Sequence, residues 1–218
     1  MKENILTFFN ILRIRLKHNN FGVSFHQNIL PNKRIFFSIN DKEVQNYRKS
    51  AVMMVLFEDD YRLKSLLIRR SKYFGTHSDQ ISFPGGKVEP FDINLEQTAI
   101  RETKEEINVD INSNDIVGEL TPLVIPISQF LVYPYICFLK KAPDYSIDNH
   151  EVAEIIEFDI ETFIKKTVIQ NLNVNIKDQI MEVPAFKIDN HIVWGATAMI
   201  LNEFREISKE IFESERWT

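Results

Sequence analysis

The chain has 218 residues, 44% of them hydrophobic and 26% charged, with a formal net charge of −5 and an isoelectric point near 5.6. That length suits one well-buried domain and excludes two large ones, and the ordinary charged fraction excludes wholesale disorder. An acidic balance with no long basic run beyond Arg13, Arg15 and Lys17 argues against a nucleic-acid polymer as partner, while leaving room for a local basic pocket.

From Glu3 to Lys17, the apolar residues Ile5, Leu6, Phe9, Leu12 and Leu16 recur at helical spacing, and Phe8 and Ile11 widen the face. This predicts an amphipathic helix that covers the body of the domain, with a subunit contact as the second reading. Arg13, Arg15 and Lys17 interrupt the apolar stretch and no small-residue cleavage site follows, so a signal peptide is not expected, and no run is long enough for a membrane span. Phe21 to Asn46 is polar, with turn signals at Pro31-Asn32 and Asn40-Asp41, and reads as a loosely structured lead-in. Residues 1–47 therefore form a lead-in segment and residues 48–218 the main domain.

Two β-rich runs follow, Ala51 to Phe57 and Leu63 to Arg69, separated by the turn-like Glu58-Asp59-Asp60. A short strand, Gln80 to Phe83, leads to a Gly85-Gly86 turn and then to a helix from Leu95 to Ile107. Further strands are expected at Ile116 to Leu123, Val132 to Lys140, Glu154 to Phe158, Val168 to Val174, Met181 to Ile188 and His191 to Trp194. A last helix is expected from Ala196 to Phe212. Strands on both sides of a central helix imply an α/β (α+β) fold, a mixed sheet with helices packed on it. The single cysteine, Cys137, lies in the apolar run Tyr133 to Leu139 and reads as a buried structural thiol, which fits a reducing cytoplasmic compartment.

The densest chemistry lies at Arg101, Glu102, Glu105 and Glu106. On a helix turning about 100° per residue, Glu102 and Glu106 stand one above the other with Glu105 beside them, so all three carboxylates can converge on one site. Like charges at that spacing repel, and either solvent screens them or a cation sits among them. Hard oxygen ligands suit magnesium or manganese shared with substrate phosphates. The plainer alternative is a solvated helix face supported by Arg101 and Lys104.

The order of strand, Gly-Gly turn, loop and acidic helix resembles the box of the Nudix hydrolases: Gly, five residues, Glu, seven residues, then Arg-Glu-apolar-x-Glu-Glu-x-Gly-apolar. Here the positions read Gly86, Asp92, then Arg101-Glu102-Thr103-Lys104-Glu105-Glu106-Ile107-Asn108-Val109. Asp92 replaces the usual Glu, one extra residue precedes Arg101, Thr103 takes an apolar slot and Asn108 replaces the closing Gly. Asn tolerates the left-handed conformation that a helix end needs, and Thr103 is acceptable if its methyl packs inward. Leu66-Leu67-Ile68-Arg69-Arg70-Ser71 and His77-Ser78-Asp79-Gln80-Ile81-Ser82-Phe83-Pro84-Gly85-Gly86 are similar to the signature of the coenzyme A pyrophosphatase branch, which commonly carries the extra residue and the Asp. Gly75 stands where that branch usually has Arg, and Asp79 where it has Gly.

The resemblance implies an α/β/α sandwich with a mixed central sheet. It implies metal-dependent (Mg2+ or Mn2+) hydrolysis of the diphosphate of coenzyme A or its thioesters, giving 3′,5′-ADP and 4′-phosphopantetheine or its acyl derivative. Hydrolysis of ADP-ribose, NADH or another nucleoside diphosphate derivative is the alternative, and a non-catalytic nucleotide-binding module the alternative of another class. Glu102, Glu105, Glu106 and the Gly86 carbonyl would hold metal. Arg101 would orient the ligands, and the proton acceptor would be Glu102 or, outside the box, Glu151 or Glu154. Arg69, Arg70, His77 and Lys87 would meet the substrate, a small nucleotide derivative. His18, His26, His150 and His191 have no metal-site spacing. A monomer or homodimer without membrane association is expected.

Overall fold

Two positive-φ residues, Asp60 at 46° and Tyr61 at 62°, turn the chain between β1 (Arg48–Asp59) and β2 (Arg62–Arg70), in the turn geometry that suits the twist of paired strands. The computed structural model describes residues 2–18, 22–30, 40–72, 79–176 and 179–214. Besides β1 and β2, the main sheet contains β3 (Ile81–Ser82), β4 (Gly85–Lys87), β5 (Ile116–Glu119), β6 (Leu123–Ile125), β7 (Phe130–Leu139) and β8 (Val152–Asp159). β1 and β7 run parallel at its centre and the other pairings are antiparallel, so the sheet is mixed as expected.

Both faces of β1 are covered, which explains its nearly continuous apolar run. Ala51, Met53, Val55 and Phe57 pack with Ala99 and Ile107 of helix α3 (Leu95–Ile107). Met54 and Leu56 point the other way, into a core shared with α1 (Lys2–Lys17), α4 (Ile160–Lys166) and α5 (Gly195–Ser214). These layers make an α/β/α sandwich. A second sheet of three antiparallel strands, β9 (Gln170–Ile176), β10 (Gln179–Ile188) and β11 (His191–Trp194), leads into α5. Cys137 is fully buried on β7, where burial pushes its thiol well above the ordinary range. Among the described residues no helix is long and apolar enough to cross a membrane.

Three local expectations need correction. The Gly85-Gly86 pair is a strand rather than a turn, paired to Val52 and Ala51 of β1. The expected strand Ile116 to Leu123 is two strands, β5 and β6, with Leu120 N–H donating to the Pro134 carbonyl between them. The lead-in, expected to be loosely structured, contains a helix: Gly22–Gln27 forms α2, with buried His26, while residues 31–39 lie outside the described residues. Its anchor is a contact that no local reading detects, His26 Nε2 to Glu203 Oε2 of α5 at 2.8 Å, with both side chains wholly inaccessible. Glu203 also accepts from Thr121 N–H and Thr121 Oγ1 at 3.1 and 2.8 Å. Removing the carboxylate strands these buried donors, so Glu203→Ala is expected to cost about 3–5 kcal/mol, read as a lower urea midpoint with an unchanged slope.

Candidate active site

Helix α3 has its expected bounds because both ends are capped. Asn94 Oδ1 accepts from Gln97 N–H at 2.8 Å, and Asn108 sits left-handed at φ 58° with its N–H donating to the Lys104 carbonyl. Thr103 is buried and its hydroxyl donates to the Ala99 carbonyl at 2.7 Å, which satisfies the one polar atom the apolar slot brings inward. The helix thus presents Glu102 and Glu106 to β4.

Glu106 is 1% exposed. One of its oxygens accepts from the Gly85 N–H at 2.8 Å and the other from Arg70 Nη1 at 3.0 Å. Burial pushes its carboxyl up to about 7 against the pull of Arg70 and Gly85, and the charges of Glu102 and Glu151 push the same way. Glu102 is also raised, first by burial, with Arg101 opposing and Glu105 and Glu151 adding. Gly86 lies directly under Glu102: a Cβ there would fall 2.4 Å from its carboxylate. Arg70 and Arg101 each pair with one of these carboxylates, and burial still holds both carboxyls above the ordinary range.

Arg101 is the hub of the cluster. Its Nε and Nη2 hold Asp92 in a bidentate pair at 2.9 and 3.0 Å, Nη1 reaches Glu102 at 2.9 Å and Glu105 at 2.8 Å, and Nη2 also donates to the Lys87 carbonyl at 3.0 Å. Asp92 further accepts from Thr98 Oγ1 and from the Glu89 N–H, each at 2.8 Å. The Arg101 bonds hold the Asp92 carboxyl well below the usual carboxylate range. From the sequence Asp92 reads as a departure from the general box that the branch commonly carries, and nothing there shows that it is the partner that fixes Arg101. Asp92 and Arg101 are nine positions apart, and only the fold of the loop brings them together.

The three glutamates do not converge equally, which corrects the expectation from helical spacing. Glu105 is turned outward to Arg101 with its side chain 58% exposed, because a carboxylate one turn after an arginine finds that partner before it finds the sheet. Among the described residues no three Asp, Glu, His or Cys side chains stand ready as a metal cage. The donor chemistry nonetheless fits a hard divalent cation at Glu102, Glu106 and the Gly86 backbone, since such ions keep several waters and share their shell with substrate phosphates.

Of the two carboxylates expected outside the box, Glu151 is the one whose charge acts on Glu102 and Glu106. Its loop is docked on the end of α3, with Ser146 N–H donating to the Ile107 carbonyl at 3.1 Å and Asp148 N–H to the Glu106 carbonyl at 3.0 Å. Glu154 instead accepts from Arg69 Nε at 2.9 Å and lies 3.7 Å from His191 Nε2, because its position on β8 is opposite Arg69 in the register. Arg69 also donates to Asp79 at 3.1 Å, so its guanidinium is committed to two carboxylates. Lys87 is exposed beside the cluster. His77 and Gly75 lie outside the described residues.

The NUDIX domain model matches residues 47–174. The chain is 30% identical over 141 residues to an uncharacterized Nudix hydrolase NudL of Photorhabdus laumondii, covering 65% of this chain and 75% of that protein. It is 34% identical over 163 residues to the chloroplastic Nudix hydrolase 22 of Arabidopsis thaliana, covering 71% of this chain and about half, 53%, of that longer protein. In fold it is similar to the crystal structure of a MutT/nudix family protein from Enterococcus faecalis, at TM-score 0.52 and 19% identity over 87% of this chain and 68% of that one.

Proposed function

The chain belongs to the Nudix hydrolase family and is a pyrophosphohydrolase of a nucleotide-derived substrate, and we propose that this substrate is coenzyme A or one of its thioesters. Hydrolysis of its diphosphate would release 3′,5′-ADP and 4′-phosphopantetheine or the acyl derivative. The observation that carries the reaction type is the pair Glu102 and Glu106, brought together over Gly85 and Gly86 where burial raises both carboxyls. A module that only bound nucleotide would have no use for carboxylates kept at such cost. The substrate itself is supported by the signature along β2 and the loop before β4, where Arg70 reaches into the same cluster.

In this reading Glu102, Glu106 and the Gly86 carbonyl hold magnesium or manganese, with Glu105 able to join by leaving Arg101. From such a cation come neutralisation of the diphosphate and activation of water. Arg70 keeps Glu106 in place, and Arg101, fixed by Asp92, keeps Glu102 in place. Glu151, outside the box but with its charge acting on Glu102 and Glu106, takes the proton from the attacking water. Lys87 meets a phosphate oxygen. Glu154 and Arg69 serve each other, and their part is to fix β2 against β8. The catalytic unit runs from residue 48 to 218, and its single buried cysteine suits a cytoplasmic setting.

The commitment of Arg69 to Asp79 and Glu154 favours a second reading, in which a phosphate contact of the branch is lost and ADP-ribose or NADH is the better substrate. Product analysis decides between them. Purified protein given manganese or magnesium is offered coenzyme A, ADP-ribose and NADH separately. Clear preference for coenzyme A with 3′,5′-ADP as product is the expected result; preference for either of the others would discard the coenzyme A reading and keep the diphosphatase.

A further inference from the structure

The loop between β4 and α3 carries Val88, Phe91 and Ile93 in the open, with Phe91 69% and Ile93 88% exposed. On a floppy loop this would mean little, because single exposed apolar residues are common. This loop is pinned. Val88 N–H donates to the Lys49 carbonyl, Asp92 N–H to the Glu89 carbonyl and Glu89 N–H to Asp92 Oδ2, while Arg101 grips Asp92 with two bonds. The ring of Phe91 is thereby held with the Arg101 guanidinium 5.4 Å from its centroid. That guanidinium bonds Glu102 and Glu105, so an aromatic surface is continuous with the charged cluster.

We infer that Phe91, flanked by Val88, is the platform on which the acyl chain of a thioester substrate lies while its diphosphate sits at Glu102 and Glu106. The inference rests on the coenzyme A reading and adds to it which part of the protein selects the acyl chain. An aromatic ring fixed by its loop offers large contact area with little conformational entropy left to lose, which suits an uncharged flexible chain better than a polar sugar. A role confined to shielding Arg101 uses one face of the ring, and with Phe91 69% exposed the rest of it stands open beside Val88.

The test compares KM for octanoyl-coenzyme A and for coenzyme A in the wild-type enzyme, Phe91→Ala and Phe91→Leu, with manganese at saturation. The wild type is expected to favour the acyl substrate in KM. Phe91→Ala is expected to remove that preference by a roughly tenfold rise in KM for the acyl substrate, the equivalent of about two buried methylene groups, and Phe91→Leu to retain part of it. An unchanged KM ratio overturns the platform, as does a fall in kcat that is equal for both substrates, which would mean that Phe91 acts through Arg101. A wild type that cleaves ADP-ribose but neither coenzyme A compound overturns the underlying reading and the platform with it.

Discussion

Glu106→Gln is expected to leave a folded protein with turnover reduced on the order of 10²–10³-fold at saturating metal, the scale seen when a preorganised electrostatic group is lost from an active site. The fold survives because Gln copies the neutral form of a carboxyl whose burial already pushes it up to about 7, and its amide oxygen can still accept from Gly85 or Arg70. The sign of the pH effect follows. The folded pKa lies above the ordinary 4.5, so the native state binds a proton that the unfolded chain gives up, and stability falls as pH rises from about 4.5 to about 7. With metal chelated, the wild type should therefore lose stability across that window, and Glu106→Gln should lose less of it, so that the variant equals or exceeds the wild type in melting temperature at pH 8. A variant that keeps wild-type turnover refutes the role assigned to Glu106.

Replacing the two neighbouring glycines by alanine separates fold from chemistry. At Gly86 the new methyl carbon would lie 2.4 Å from the Glu102 carboxylate, the far end of a flexible side chain that can swing away. Gly86→Ala should thus fold, with Glu102 displaced and turnover down on the order of 10²-fold, as small misplacements of catalytic groups commonly produce. At Gly85 the methyl would lie 2.4 Å from the Ala51 carbonyl oxygen, at φ 150°, and no side chain can move to accommodate it. Gly85→Ala should cost about 1–3 kcal/mol or more in stability, seen as a lower melting temperature. Equal loss of activity and equal stability in both variants would contradict the placement of Glu102 over Gly86.

The sequence reveals most where the determinants are local. Helix α3 is legible to the residue because its caps, Asn94 and Asn108, and its apolar positions lie within or beside it. The mixed sheet with helices packed on it follows from the order of elements, and the α/β/α sandwich is what the resemblance implies. What local reading misses is set by partners far along the chain. Gly85 and Gly86 look like a turn because glycine is depleted in strands, and only pairing with Ala51 and Val52 makes them one. Helix α2 depends on Glu203, and the approach of Glu151 to the box depends on a loop docked on the carbonyls of Glu106 and Ile107. Helical spacing brings Glu102 and Glu106 together, but the same spacing sets Glu105 one turn after Arg101, which draws it outward. The extra residue before Arg101 and the Asp at position 92 read from the sequence as features that the branch commonly carries, without a physical role. In the folded chain Asp92 is the residue that holds Arg101 in both directions of its fork.

The central claim is that Glu102, Glu106 and Gly86 form a divalent-cation site, and calorimetric titration of manganese into chelator-stripped protein tests it most directly. The wild type should bind manganese at this site, and Glu106→Gln and Gly86→Ala should each weaken that binding in step with their loss of turnover. Manganese bound equally well by the wild type and by both variants would place the metal elsewhere and contradict the account.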